Sequence, residues 1–137
     1  MKKKQVKTIL VILLVILAVC LGITGIKSYI DLKTYQKQVA DITISDVDLS
    51  GIADGTYTGG YEVVWVAAEV RVTVKDHKIT RIELLKHKNG KGTTAEVIPD
   101  KVIEAQSLQV DVVSGATSSS KVILKAIENA LKNTPAM

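Results

Sequence analysis

Nineteen consecutive residues without a charge, TILVILLVILAVCLGITGI from Thr8 to Ile26, constrain this chain more than anything else in it. As a helix rising about 1.5 Å per residue, they just span a hydrocarbon core of roughly 30 Å. Lys2, Lys3, Lys4 and Lys7 stand immediately before them. The positive-inside rule therefore puts the N-terminus in the cytoplasm and the rest of the chain outside. A cleaved secretory signal has the same charged start and apolar run. No small-x-small site follows before Lys27, and the run is long for a signal, so the segment reads as an uncleaved anchor. Cys20 is the only cysteine, which excludes an internal disulfide and any CxxC or CxxCH motif. Leu17-Ala18-Val19-Cys20 loosely resembles a lipobox, but Val19 is large for that position and apolar sequence continues beyond it. Cys20 reads as a plain membrane-buried cysteine.

The same four lysines account for the whole formal charge of +4. From Lys27 onward, 14 basic residues balance 14 acidic ones. A neutral body without a Lys/Arg cluster has little grip on phosphate backbones, which argues against nucleic acid as a partner. The 137 residues suit one modest domain behind the anchor.

Residues 27–50 read as a stalk and polar connector. KSYIDLKTYQKQVADI carries Tyr29, Ile30, Leu32, Tyr35, Val39 and Ile42 at loosely helical spacing. DVDLSGIADGTYTGG, rich in glycine and aspartate, marks the domain boundary. In EVRVTVKDHKITRIEL, Val70, Val72 and Val74 alternate with polar residues, and so do Ile82 and Leu84. That period of two predicts a hairpin turning at Asp76-His77-Lys78. YEVVWVAAEV before it fits another strand or the start of a long one, and KHKNGKGTT reads as a loop. IPDKVIEAQ suits a short helix with Pro99 in its first turn. LQVDV is read as a short strand. Val122, Ile123, Ala126, Ile127, Ala130 and Leu131 recur at helical spacing, and Asn133 and Pro135 end that helix. The expected fold is α+β: a small antiparallel sheet with two helices, preceded by one transmembrane helix. Its parts are an anchor over 1–26, a linker over 27–50, a domain over 51–133 and a tail over 134–137.

Ahead of the last helix stand five hydroxyl residues within seven positions: Ser114, Thr117, Ser118, Ser119 and Ser120. One hydroxyl is expected to cap the helix. Ser118 to Lys121 has SxxK spacing, but the SDN and KTG partners of that nucleophile are missing. A third reading is an anion site. A helix N-terminus offers free N–H groups and a positive dipole end, Gly115 lets the backbone approach closely, and Lys121 adds charge in the first turn. Neither GxxxxGK nor GxGxxG occurs, so the spacing suggests neither ATP nor NAD.

Asp111-Val112-Val113-Ser114-Gly115-Ala116-Thr117, followed by Ser118 and an amphipathic helix, resembles the flavinylation motif of the FMN-binding domain family. That family includes flavin-carrying subunits of sodium-pumping NADH:quinone oxidoreductases and Rnf-type complexes. Asp54-Gly55-Thr56-Tyr57, the Val72 to Leu84 hairpin, Ile98-Pro99 and Gln106-Ser107 fit as well, so the resemblance covers about residues 52–132. It implies that a flavin transferase uses FAD to attach FMN through its phosphate to Thr117. Asp111, Ser114, Gly115, Ala116 and Ser118 then form the recognised surroundings, and Ser118 to Ser120 cap the helix. His77 stands where the family usually has glycine, and Lys91-Gly92-Thr93-Thr94 lacks the acidic residue many members carry. Trp65 is expected in the core rather than against a flavin ring, and His87 is expected to face solvent. His77 and His87 are too few for a metal site.

The resemblance thus implies a single-pass protein of a bacterial cell membrane, with an extracytoplasmic flavoprotein domain relaying electrons rather than acting as a stand-alone catalyst. Its partners would be a flavin transferase, a membrane electron donor and an unidentified acceptor. The alternative is a tethered interaction or sensor module without covalent flavin, in which SGAT serves only as a cap.

Overall fold

The computed structural model describes residues 2–88 and 92–133. Two compact units divide the chain, Met1–Gln36 and Lys37–Met137. The expected tail and the Asn89-to-Lys91 part of the expected loop lie outside the described residues.

The described residues of the first unit, 2–36, are helical and belong to α1, Lys2–Asp41. Between Thr8 and Ile26 its side chains are uncharged and mostly apolar on every face, which suits a helix surrounded by hydrocarbon rather than lying on a core. Length and composition make α1 a candidate membrane span. The polar groups inside it are satisfied locally. Thr8 donates to the Lys4 carbonyl at 2.9 Å, and Thr24 to those of Leu21 at 2.9 Å and Cys20 at 3.1 Å.

The second unit is an α+β domain. Its antiparallel sheet has the order β1 (Gly55–Glu62), β2 (Ala67–Lys75), β3 (Lys78–Lys88). A 3₁₀ turn over Thr93–Val97 leads into α2 (Ile98–Ala105), and α3 (Thr117–Lys132) closes the fold. The alternation in β2 buries Ala68, Val70, Val72 and Val74 beneath α3, whose Val122, Ile123, Ala126, Ile127, Ala130 and Leu131 are buried in turn. The β2–β3 turn is two residues, Asp76 and His77, at φ 52° and 60°. Two positive φ values define the hairpin turn whose twist matches the strands, and histidine tolerates that region better than most side chains. Asp54 accepts the Asp76 N–H at 2.8 Å, which ties the start of β1 to this turn.

Several expectations need correction. TYTGG, read as part of a boundary, is strand β1. Its glycines hid it, but Gly59 is there for contact. A Cβ at Gly59 would lie 2.2 Å from the Ala130 nitrogen and 2.5 Å from the Ala126 carbonyl. The helix therefore rests directly on the strand backbone, and Asn129 adds a hydrogen bond to the Gly60 carbonyl at 2.9 Å. Lys86 to Lys88, read as loop, continue β3. LQVDV is not a strand. Gln106 ends α2 in the left-handed region at φ 51°, and its side-chain amide pairs with the edge of β3 instead. Its Oε1 accepts the Ile79 N–H and its Nε2 donates to the Ile79 carbonyl, both at 2.8 Å.

Residues 42–48, read as connector, form a strap bound to the domain. Ile42 is buried. Lys125 donates to the Thr43 carbonyl at 3.0 Å, and Gln109 to that of Ile44 at 3.2 Å. Asp46 accepts the Ser107 hydroxyl at 2.6 Å and the Leu108 N–H at 3.0 Å. These two bonds, the hydroxyl first, hold its carboxyl below the ordinary range. Glu128, 1 % exposed, accepts the Ser45 N–H at 3.3 Å and pairs with Lys125 and Lys132. Burial pushes the Glu128 carboxyl up, but the two ammonium groups and the Ser45 N–H outweigh it, leaving it below its usual value.

Candidate functional site

The segment from Asp111 into α3 is organised by one serine. Ser120, fully buried, accepts the Val113 N–H at 3.0 Å through its Oγ and donates to the Ala116 carbonyl at 2.8 Å. The Ala116 N–H closes back on the Val113 carbonyl at 3.0 Å. Within this four-residue turn Gly115 has φ 80°, the value a type II turn demands at its third position. A Cβ there would meet nothing within 4 Å, so glycine serves conformation and not space.

Thr117 is the first residue of α3 and is exposed, as are Asp111, Ser114 and Gly115; Ser118 is half-buried and Ala116 buried. The Thr117 hydroxyl makes no hydrogen bond among the described residues. The N-cap is Ala116, and no side chain caps the helix. The expected capping by Ser118 to Ser120 is therefore absent. Those residues lie inside the first turn and a half of the helix, past the position from which a hydroxyl reaches the free N–H groups. Ser119 and Ser120 are buried, and Ser120 points back to the preceding turn. The N–H groups of Thr117, Ser118 and Ser119 are left unpaired by the protein, which makes this helix start receptive to an anionic oxygen.

Lys121 does not contribute the expected charge. Its Nζ donates instead to the Val39 carbonyl at 3.3 Å, which lends the SxxK reading no support. Nor does His87 face solvent. Its side chain is 3 % exposed, with Nδ1 3.0 Å from Glu96 Oε1. Trp65 is not in the core; it is 42 % exposed. Sequence reasoning missed the role of Ser120, whose only signal was its position three residues after Thr117. A cleft of about 310 Å³ adjoins the motif, lined by Lys101, Glu104, Ala105, Gln109, Val110 and Asp111. A larger one of about 500 Å³, along the end of β1 and β2, contains none of the motif residues.

An uncapped helix start, a free threonine hydroxyl and a left-handed glycine turn are thus combined on one exposed edge. Comparison with known families gives this edge its context, because the FMN-binding domain pattern matches residues 64–132. The chain belongs to the FMN-binding domain family. The matched stretch takes in β2, β3, α2, the turn and α3, while β1 and the strap precede it. Over 65 residues the chain is 37 % identical to an NADH:acrylate oxidoreductase of Vibrio harveyi. That alignment covers 45 % of this chain and 6 % of the relative, so the likeness concerns one small part of a much longer protein.

Proposed function

We propose that this family member is a membrane-anchored, extracytoplasmic flavoprotein that relays electrons through FMN held by a phosphoester on Thr117. The observation that carries the reading is the exposed, unbonded Thr117 hydroxyl at an uncapped helix start. The residues present fit the group. A phosphodiester keeps one negative charge, and the unpaired N–H groups of Thr117, Ser118 and Ser119 are the donors such a charge seeks. Family membership and the likeness to a part of a protein named as an oxidoreductase support a redox role.

Attachment balances as a transfer from FAD. The Thr117 Oγ bonds to the flavin-side phosphorus, the pyrophosphate bond breaks, AMP leaves and the hydroxyl proton passes to solvent. Gly115 and the buried Ala116 keep the approach to Thr117 free of large side chains, and Ser120 fixes the turn from within. Bound flavin supplies one- and two-electron chemistry, while the chain positions it. A covalent bond suits a small domain outside the membrane, from which a dissociable cofactor would be diluted away. α1 supplies the anchor by its length and composition. The partners this role requires are a flavin transferase, a membrane electron donor and an acceptor.

Denaturation tests the reading directly. Full-length protein made with an active flavin transferase is expected to keep its yellow chromophore through guanidinium and desalting. Colour that separates from the chain would mean bound but unattached FMN, and a colourless chain would mean an interaction module.

A further inference from the structure

We propose that Trp65 is the seat of the flavin ring: the isoalloxazine of Thr117-linked FMN stacks on its indole face. The inference rests on attachment at Thr117 and adds the residue that holds the far end of the cofactor.

Trp65 is held outward by its neighbours. Val63 and Val66 are each 4 % exposed, and the Val63 N–H donates to the Val66 carbonyl at 2.8 Å, closing a tight turn between β1 and β2. With both flanking valines anchored inward, the turn presents the indole at its tip. The turn is fixed in place as well, because the Val64 N–H donates to Gln38 Oε1 at 3.0 Å. One residue further on, the Val39 carbonyl accepts Lys121 Nζ. Lys121 lies one helical turn after Thr117, so the Trp65 turn and a side chain from the start of α3 bond to adjacent residues, Gln38 and Val39.

The surroundings agree. From residue 37 onward, the large apolar side chains that are exposed among the described residues are Trp65, Leu85, Val97 and Val112. Val112 adjoins Val113, whose N–H is bound by Ser120 near the start of α3. Val97 ends the 3₁₀ turn that packs on α3. Three of the four thus stand on segments tied to α3 or to its neighbours, and a flat apolar ring tethered at Thr117 is an occupant of matching chemistry. An indole is rich in π-electrons and oxidised isoalloxazine is poor in them, so offset stacking favours the oxidised ring over its anionic reduced form.

The test uses full-length protein loaded by a flavin transferase, comparing wild type with Trp65→Leu and Trp65→Tyr, and with Thr117→Val as the attachment control. Trp65 is the only tryptophan and lies on the surface, so neither variant threatens the core. Equal mass gain in wild type and both Trp65 variants is expected. Flavin fluorescence should rise several-fold in Trp65→Leu, and Trp65→Tyr, which retains a quenching ring, should restore most of the loss. The midpoint potential should move upward in Trp65→Leu. Flavin on Thr117 with fluorescence and potential unchanged in Trp65→Leu would overturn the seat alone. Unchanged flavin signals with weakened binding to lipid vesicles would overturn it in favour of a membrane-surface contact. Wild type without flavin, or Thr117→Val with it, would overturn the attachment and the seat together.

Discussion

The side-chain amide of Gln106 pairs with both the N–H and the carbonyl of Ile79, so a single glutamine satisfies the free edge of β3 at that residue. The same Nε2 also reaches the Ile103 carbonyl at 2.6 Å. The residue that ends α2 thereby sets where the chain leaves for the motif segment. Replacing Gln106 with Ala leaves the backbone groups of Ile79, a residue only 3 % exposed, without these partners. We expect a loss of about 1–3 kcal/mol, read from urea unfolding of the full-length protein in detergent. Gln106→Glu, which cannot donate to the carbonyl, should also lose stability; a variant as stable as wild type would refute the pairing.

Gly59 makes the corresponding prediction for the other edge of the sheet. The atoms that an added Cβ would meet are helix backbone, which cannot move aside as a side chain can. Gly59→Ala should cost about 1–3 kcal/mol or more, as overpacked interiors do. Gly60→Ala meets its nearest atom, the Ala68 carbonyl, at 3.3 Å and should cost clearly less. Equal melting shifts for the two would show that α3 does not rest on β1.

Much of this architecture was legible in the residues, and the exceptions share a cause. Val70, Val72 and Val74 alternate because one face of β2 is covered and the other is not. The spacing from Val122 to Leu131 is helical because one face of α3 meets the sheet. Periodicity reports burial, so it found both elements. β1 escaped because Gly59 contributes backbone contact rather than an apolar side chain, and contact of that kind leaves no hydropathy signal. The strap escaped because it is held through Ser45, Asp46, Lys125 and Glu128, all polar residues whose partners are remote in sequence. The motif announced Thr117, but its hydroxyl neighbours were ambiguous. Ser120 bonds inward to Val113 rather than capping, because it stands four residues past the N-cap, Ala116. Trp65 was misjudged because composition cannot tell a turn tip from a strand centre.

The Ser120 hydroxyl is predicted to matter more than those of Ser118 and Ser119. Ser120→Ala loses two bonds within the motif turn and should destabilise the domain by about 1 kcal/mol. It should also slow flavin loading under limiting transferase, because the turn around Gly115 is no longer fixed. Ser118→Ala should leave stability within about 0.5 kcal/mol of wild type. Loading time courses by mass spectrometry distinguish the two, and equal rates would remove Ser120 from the account.

The strap predicts an acid sensitivity. The carboxyls of Glu128 and Asp46 titrate in the folded protein below their ordinary values of 4.5 and 3.8. Groups with depressed folded pKa values contribute stability that is fully present above the ordinary value and lost as pH falls through the folded one. Unfolding free energy should therefore be flat with respect to these two groups above about pH 5 and fall below it. Glu128→Gln keeps the shape, loses the charge and should weaken that fall, while costing about 1.5–3 kcal/mol at pH 7. Identical slopes for wild type and variant between pH 5 and 3 would contradict the ion cluster at Ser45, Lys125 and Lys132.

The measurement that bears most directly on the central claim is the intact mass of the full-length protein made with an active flavin transferase, beside Thr117→Val made the same way. The account predicts a gain of one FMN less one water in the wild type, mapped to the peptide carrying Thr117, and no gain in the variant. A gain that survives in Thr117→Val, or no gain in wild type while the transferase modifies a control substrate, would contradict it.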